Sequence, residues 1–261
     1  MSGPETTPTG VAETELLALE FSEEASLDTP PTTLPQAEQQ LPGSAGEHLL
    51  QEAYGDSKRA RRFYRDQVLE HLNEVMIEFV ERMEMAFVAT SDTKGEADCS
   101  LRAGPPGFIR VLDRQHIAYP EYRGNGVHAS LGNISENPHI GVMLVDFVRD
   151  LIGLHINGKA RIVEHEDMLL EQPQLDGDHE PGRRPQRWVV VDIREAYIHC
   201  RKHIPRMQPV DRSRSWGTDD SRRKGGDYFG VRAERTEQTK QANQARQGNQ
   251  AKHAKQPDTS R

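Results

Sequence analysis

The chain of 261 residues has few cysteines and no long apolar run, and both absences restrict what it can be. Its two cysteines, Cys99 and Cys200, are too few for a disulfide framework. No stretch approaches the roughly 18 consecutive apolar residues that a membrane-spanning helix needs. The first residues also lack the basic and apolar segments of a secretory signal. We therefore expect a cytoplasmic protein with no membrane segment.

Apolar residues are scarce as well, at 34% of the chain, which is low for a protein that is folded along its whole length. Residues 1–57 contain no Lys or Arg but eleven acidic residues, and from Arg201 onward fifteen basic residues accompany seven acidic ones. We expect a disordered acidic tail at 1–55, a packed domain at 56–210 and a disordered, basic, Gln-rich tail at 211–261. The basic tail has few aromatic residues among its charges, so it gives no firm evidence for nucleic-acid binding.

Between the tails, the sequence predicts one helix followed by short strands. Apolar residues recur every three or four positions over 57–83, which is typical of a helix. The expected strands are 85–92, 98–104, 107–113, 116–121, 139–147, 150–164 and 188–197. Only one connection, over 127–136, has a helical pattern, and a bend is expected at Gly153 or Gly158. Strands that are mostly joined by turns predict a small antiparallel barrel rather than a doubly wound parallel sheet.

Glycines and polar residues gather where the fourth strand meets this helix, in the stretch YPEYRGNG that begins at Tyr119. Arg123 offers two parallel hydrogen bonds to a phosphate, and Gly124 allows the backbone to approach a ligand closely. The start of a helix adds free N–H groups and the positive end of its dipole. These residues therefore fit a phosphate site with flat tyrosine rings nearby, although they also fit a solvated turn.

No metal site and no catalytic residue are predicted. His199, Cys200 and His203 are spaced as metal ligands can be, but no second Cys or His pair completes a tetrahedral set. His128 and His139 are candidate acids or bases, and both also fit ordinary polar surface. Flavin chemistry needs no nucleophile and base, so their absence does not exclude an enzyme.

Three segments together resemble the pyridoxamine 5'-phosphate oxidase-like family of FMN-binding split barrels. They are SLRAGPPGFIRVLD, YPEYRGNGVHASLGNISENPHIGVMLVDF and IGLHINGKARIVE, and the resemblance covers about half of the chain, roughly 72–206. It implies a mainly β fold, a six-stranded antiparallel split barrel with a few flanking helices. It also implies a homodimer in which FMN lies in a groove between the two subunits.

The resemblance further implies a set of cofactor-binding residues. Arg123 with Asn125 and Ser130 would hold the phosphate and ribityl chain of FMN, whereas His155 and Asn157 would reach the cofactor of the opposite subunit. The whole set is Arg102, Ala103, Gly104, Tyr119, Arg123, Gly124, Asn125, Ser130, Asn133, His155 and Asn157.

Two features depart from the true pyridoxamine phosphate oxidases. Those enzymes have a basic Arg-Lys pair where this chain has Arg123-Gly-Asn, and their C-terminal, substrate-binding Arg-x-His arrangement is not found here in a convincing context. We expect an FMN-dependent oxidoreductase that passes a hydride or electron pair between flavin and a small organic substrate. The alternative is a non-catalytic protein that binds or stores a flavin, a deazaflavin or haem on the same barrel. The fold does not identify the substrate or the electron acceptor.

Overall fold

The computed structural model describes residues 41–175, 182–210 and 218–253, with side chains up to residue 244. The helices are α1 (Ala45–Ala53), α2 (Ser57–Gln67), α3 (Glu74–Glu81), α4 (Ala129–Glu136), α5 (His165–Glu171) and α6 (Val231–His253). Two short 3₁₀ helices span Pro173–Leu175 and Arg201–His203. The strands are β1 (Val68–Leu69), β2 (Met85–Ser91), β3 (Ala97–Ala103), β4 (Arg110–Val111), β5 (His116–Glu121), β6 (His139–Val145), β7 (Gly153–Glu164) and β8 (Arg187–His199). Among these helices, none is long and apolar enough to cross a membrane.

The strands form one antiparallel sheet in the order β3-β2-β6-β7-β8-β5-β4, and β1 pairs with β8. Because β1 and β4 have two residues each, the fold rests on the six longer strands. The prediction of a mainly β, six-stranded antiparallel split barrel is confirmed, with two very short strands in addition. The two edge strands, β3 and β4, do not pair with each other, so hydrogen bonds do not close the barrel on that side.

One main core fills the inside of the sheet. Alternate residues of the strands point inward, such as Ala86 and Val88 of β2, and Leu131 and Ile134 of α4 pack against them. A second cluster lies between α5 and β8 around the buried Trp188. Burying each aliphatic side chain of this size contributes about 1.5–3 kcal/mol, so these contacts supply most of the driving force for folding.

The bend that the sequence predicts in the sixth strand is present at Gly158. The pairing of β7 with β8 shifts register between Asn157 and Gly158. A Cβ atom at Gly158 would overlap the backbone carbonyl of Asp192, so only glycine allows the two strands to approach this closely.

The single helix expected over 57–83 is wrong, because β1 separates α2 from α3. The chain extends at β1 to pair with β8. Asn73 then starts α3 afresh, since its side chain accepts a hydrogen bond from the Met76 N–H at 2.9 Å. A backbone partner and a new N-cap therefore override the continuous apolar spacing.

The third strand is shorter than the sequence predicts, because only Arg110–Val111 of 107–113 pairs with another strand. The residues before it form a turn in which the Phe108 N–H donates to the Pro105 carbonyl at 2.9 Å. Phe108 and Ile109 are apolar because they are buried in the core rather than because they extend a strand.

Both expected tails contain helix where the structure describes them. Within 1–55, α1 begins with a capping box in which Ser44 and Glu47 bond each other's backbone N–H groups. Within 211–261, α6 is rich in good helix formers and its described side chains are exposed. Most of the acidic tail lies outside the described residues, and the domain boundaries stay predictions.

Candidate functional site

A groove of about 700 Å³ runs along the unpaired side of the barrel. Its walls are the edge strand β3, the end of β5 and the start of α4, with Gln186, Arg187 and Lys224 at its margin. Five of the sequence-predicted cofactor residues line it, namely Arg102, Ala103, Gly124, Asn125 and Ser130. The groove therefore brings together residues from four separate parts of the sequence.

One wall of the groove carries a hydrogen-bonded cluster of Asp98, Ser100 and Ser130. The Ser100 and Ser130 hydroxyls both donate to Asp98 Oδ2, at 2.7 Å and 3.1 Å. The two hydroxyl oxygens are 3.1 Å apart. This cluster ties the first turn of α4 to the edge strand, because Ser130 belongs to the helix and the other two residues to β3.

An ion pair crosses the gap between β3 and β5 beside this cluster. Arg102 Nε donates to Glu121 Oε1 at 2.8 Å, and Arg102 Nη2 lies 2.7 Å from the same oxygen. The Arg102 guanidinium also lies 5.9 Å from the centre of the Tyr119 ring. Arg102 is therefore already paired within the chain and is not a free cation of the groove.

Tyr119 lies beneath this ion pair, in the core rather than in the groove. Its side chain is 1% exposed, and its hydroxyl is buried without a hydrogen-bond partner among the described residues. Burial raises the pKa of Tyr119, with Arg102 opposing and Glu121 adding to the shift. The prediction that Tyr119 offers flat surface to a ligand is not matched by this position.

The start of α4 presents free backbone donors to the groove. No side chain caps this helix, and its N-cap residue His128 has a left-handed backbone with φ of 56°. Gly126 just before it also has a positive φ of 81°. The Asn125 side chain holds the turn by accepting from the Val127 N–H at 3.0 Å. A left-handed non-glycine residue is unusual, and strained residues of this kind cluster at functional sites.

Three other predicted residues lie outside the groove. Arg123 points to a separate depression and forms an exposed ion pair with Asp219 at 2.7 Å. Gly104 packs against Phe108, with no room for a side chain. Asn133 ties α4 to β2 by donating to the Thr90 hydroxyl at 3.1 Å.

His155 and Asn157 lie on a different face, beside a second cleft of about 520 Å³ next to α1 and α2. His155 stacks on Tyr197 with ring centres 4.7 Å apart, and its Nε2 lies 3.1 Å from His199 Nδ1. Burial lowers the pKa of His155, and the neighbouring His199 lowers it further. Asn157 lines the cleft and donates to Glu195 at 3.2 Å. Within one chain, these two residues do not join the groove.

Several residues of the groove were missed from the sequence. They are Asp98, Ser100, Glu121, Gln186, Arg187 and Lys224. For Asp98 and Ser100 a signal existed, since they share alternate positions of one strand with Arg102 and therefore face the same side. Glu121 lies within the stretch YPEYRGNG, whereas no local pattern connects Gln186, Arg187 or Lys224 to the groove.

The family model for pyridoxamine 5'-phosphate oxidase matches residues 72–200 of this chain. This segment, about half of the chain, is thus similar to the pyridoxamine 5'-phosphate oxidase family. The matched segment contains the whole sheet except β1, together with α3 to α5, so the resemblance noted in the sequence is confirmed for the barrel. Among curated proteins, none matches the chain.

Three solved structures show the range of proteins to which this chain is similar. A variant of HupZ from Group A Streptococcus is 23% identical, with a TM-score of 0.37 over 49% of this chain and 98% of its own. HutZ, described as a haem storage protein of Vibrio cholerae, is 16% identical, with a TM-score of 0.35 over 49% and 93%. An F420 reductase is 17% identical, with a TM-score of 0.33 over 49% and 98%. Similarities this weak carry no argument about function.

Proposed function

We propose that this protein is an FMN-dependent oxidoreductase that transfers a hydride or electron pair between the flavin and a small organic substrate. The observation that carries the proposal is the groove at the open side of the barrel. It gathers five predicted cofactor residues around the uncapped start of α4, in a segment that matches the family model named for an oxidase.

The residues of the groove fit a flat phosphorylated ligand. The volume of the groove, about 700 Å³, lies within the range of small-molecule sites. The free N–H groups and dipole of α4 suit a phosphate, and Gly124 has no side chain to keep that phosphate away from the backbone. Leu101 and Val127 line the groove although they are 57% and 70% exposed. Such apolar surface is what an aromatic ring system would cover.

When bound, FMN supplies the redox chemistry of such a site. The chain's own residues would bind the phosphate, orient the ring against the apolar side chains of the groove and exclude water from it. None of them is assigned as a catalytic acid or base.

We also propose that the protein acts as a homodimer. His155 and Asn157 face away from the groove of their own chain, so a cofactor bound in such a groove would touch them only if the groove belonged to a second copy. The outer face of the sheet between the two sites offers a surface for that copy. Residues paired across the strands place Leu101, Phe87, Met143 and His155 in one row there. Sedimentation of the flavin-loaded protein at micromolar concentration should give the mass of a dimer, and a monomer would refute it.

The visible spectrum of the purified protein tests the choice of cofactor. We expect flavin absorption, and the apo-protein should bind added FMN in a fluorescence titration. A deazaflavin spectrum or a haem Soret band would instead support the alternative ligands. Reduction of the bound flavin by a donor and its reoxidation by a second substrate would establish turnover, which a storage protein lacks.

Two glycine variants test the location of the phosphate. Gly124→Val adds a branched side chain in the groove, so we expect FMN binding to weaken by about tenfold or more, which is ~1.4 kcal/mol. Gly132→Val is the matched control, because an added Cβ at either glycine meets nothing within 4 Å but only Gly124 lines the groove. Equal affinities of the two variants would contradict the proposed position.

A further inference from the structure

The hydrogen bonds of Asp98, Ser100 and Ser130 make this wall of the groove an acceptor of hydrogen bonds. Each serine hydroxyl has one proton, and both protons are used inside the cluster, in bonds to Asp98 Oδ2 or between the two hydroxyls. The second carboxylate oxygen, Oδ1, receives no hydrogen bond from the described residues. These three side chains therefore present carboxylate and hydroxyl lone pairs but no remaining proton.

A surface with only acceptors disfavours a phosphate and favours a group that donates. The charge of Asp98 repels a phosphate dianion, and Ser130, which is 3% exposed, has its proton already committed. Hydroxyl groups of a ligand are suitable donors, and a hydrogen bond to a charged carboxylate is stronger than one between neutral groups. This conflicts with the role of Ser130 as a donor to phosphate that the resemblance implies.

The cluster lies next to the start of α4, so one ligand can bind both. The free N–H groups of the helix suit its phosphate, and the cluster suits its hydroxyl groups. Ser130 belongs to the first turn of α4, two residues after the uncapped N-cap residue His128. A ligand whose phosphate binds the free N–H groups there would place the atoms bonded to that phosphate next to Ser130 and Asp98. In FMN, those atoms are the hydroxyl-bearing ribityl chain.

We propose that Asp98, held by Ser100 and Ser130, is a specificity residue that binds the hydroxyl groups of the ligand's polyol chain. This inference rests on the proposed function, because it takes the ligand to be a flavin. It assigns the phosphate to the backbone of α4 and the hydroxyl groups to a carboxylate. It therefore predicts that the groove distinguishes flavins by their side chain.

Titration of the apo-protein with riboflavin, FMN and lumiflavin tests this assignment, since lumiflavin has the ring but no polyol chain. We expect Asp98→Asn to weaken riboflavin binding by about tenfold, because a charge-assisted hydrogen bond is lost. Lumiflavin binding should stay within about twofold. The affinity for FMN should fall less than the affinity for riboflavin, because the substitution also removes a negative charge near the phosphate.

Glu96→Gln is the control, since Glu96 lies in the same β2–β3 hairpin outside the groove and should leave all three affinities unchanged. If Asp98→Asn does not fold, Ser100→Ala keeps the test decisive. Ser100→Ala removes a hydrogen bond that holds the carboxylate. It should weaken riboflavin binding by about threefold and leave lumiflavin binding unchanged.

Three outcomes are distinguishable. The role of Asp98 would be overturned if Asp98→Asn changed the affinities for all three flavins equally, or if it bound FMN more tightly and riboflavin as before. The proposal of flavin binding would then still stand. A wild-type protein that binds none of the three flavins would overturn the proposed function and this inference with it. Selective weakening of riboflavin and FMN supports both.

Discussion

The open side of the barrel should depend for its stability on the ion pair of Arg102 and Glu121. The charged atoms are 2.7 Å apart, and the side chains are only 19% and 14% exposed. At an effective dielectric constant of about 20, two unit charges at this distance attract by roughly 6 kcal/mol, and desolvation offsets part of that. Glu121→Ala leaves the guanidinium largely buried without its partner. We expect this to lower the free energy of unfolding by about 2–3 kcal/mol.

The exposed pair of Arg123 and Asp219 provides a matched control. Its N–O distance is also 2.7 Å, but its side chains are 61% and 66% exposed. Water screens this pair to roughly 1.5 kcal/mol of gross attraction, and the cost of ordering two long side chains offsets most of it. Asp219→Ala should therefore cost less than about 1 kcal/mol.

Urea unfolding followed by tryptophan fluorescence measures both pairs, since Trp188 is 3% exposed and reports on the packed barrel. Each pair is analysed as a double-mutant cycle, in which both partners are replaced singly and together. We expect a coupling energy of about 2 kcal/mol for Arg102 with Glu121 and below about 0.5 kcal/mol for Arg123 with Asp219. Equal couplings for the two pairs would show that burial does not determine their strength and would refute the reasoning.

Two further substitutions test single buried groups. Tyr119→Phe removes a hydroxyl that has no partner among the described residues, so it should raise the free energy of unfolding at pH 7 by about 1 kcal/mol in urea melts. Because burial raises the pKa of Tyr119, the wild type should also lose stability as the pH rises above about 10, and the Phe variant should lose less. Burial and His199 lower the pKa of His155, so the unfolded chain takes up its proton first as the pH falls below about 6.5. Stability should therefore decrease between pH 7 and pH 5, and thermal melts of His155→Gln should show a shallower decrease; an unchanged slope would contradict this cause.

The strands were largely predictable from the sequence because their pattern is local. Runs of apolar residues bounded by turns gave β2, β5 and β6 within about two residues of their observed ends. The division between α2 and α3 was not predictable in the same way. It depends on the pairing of β1 with β8, whose residues are far away in the sequence.

The candidate site was predictable only where its residues are close in sequence. The stretch from Gly124 to Ser130 forms a continuous wall of the groove, and it was recognised from its glycines and the helix that follows. The direction in which the Arg123 side chain points was not predictable, because it depends on an ion pair with Asp219, which is distant along the chain. The pairing of Arg102 with Glu121 was missed for the same reason, since it crosses a gap that only the folded sheet creates.

The unpaired edge of the sheet explains why polar residues face the inside of β3. Register pairs Ala86 with Arg102 and Val88 with Ser100, so these side chains share the inner face of two adjacent strands. On β2 that face is apolar because the core covers it, whereas on β3 it borders the gap and water reaches it. Polar side chains there join the edge strand to Glu121 and Ser130, which belong to β5 and α4. The side chains that hold the gap together are thus the ones that a ligand in the groove would meet, so substitutions among them should change stability and ligand affinity together.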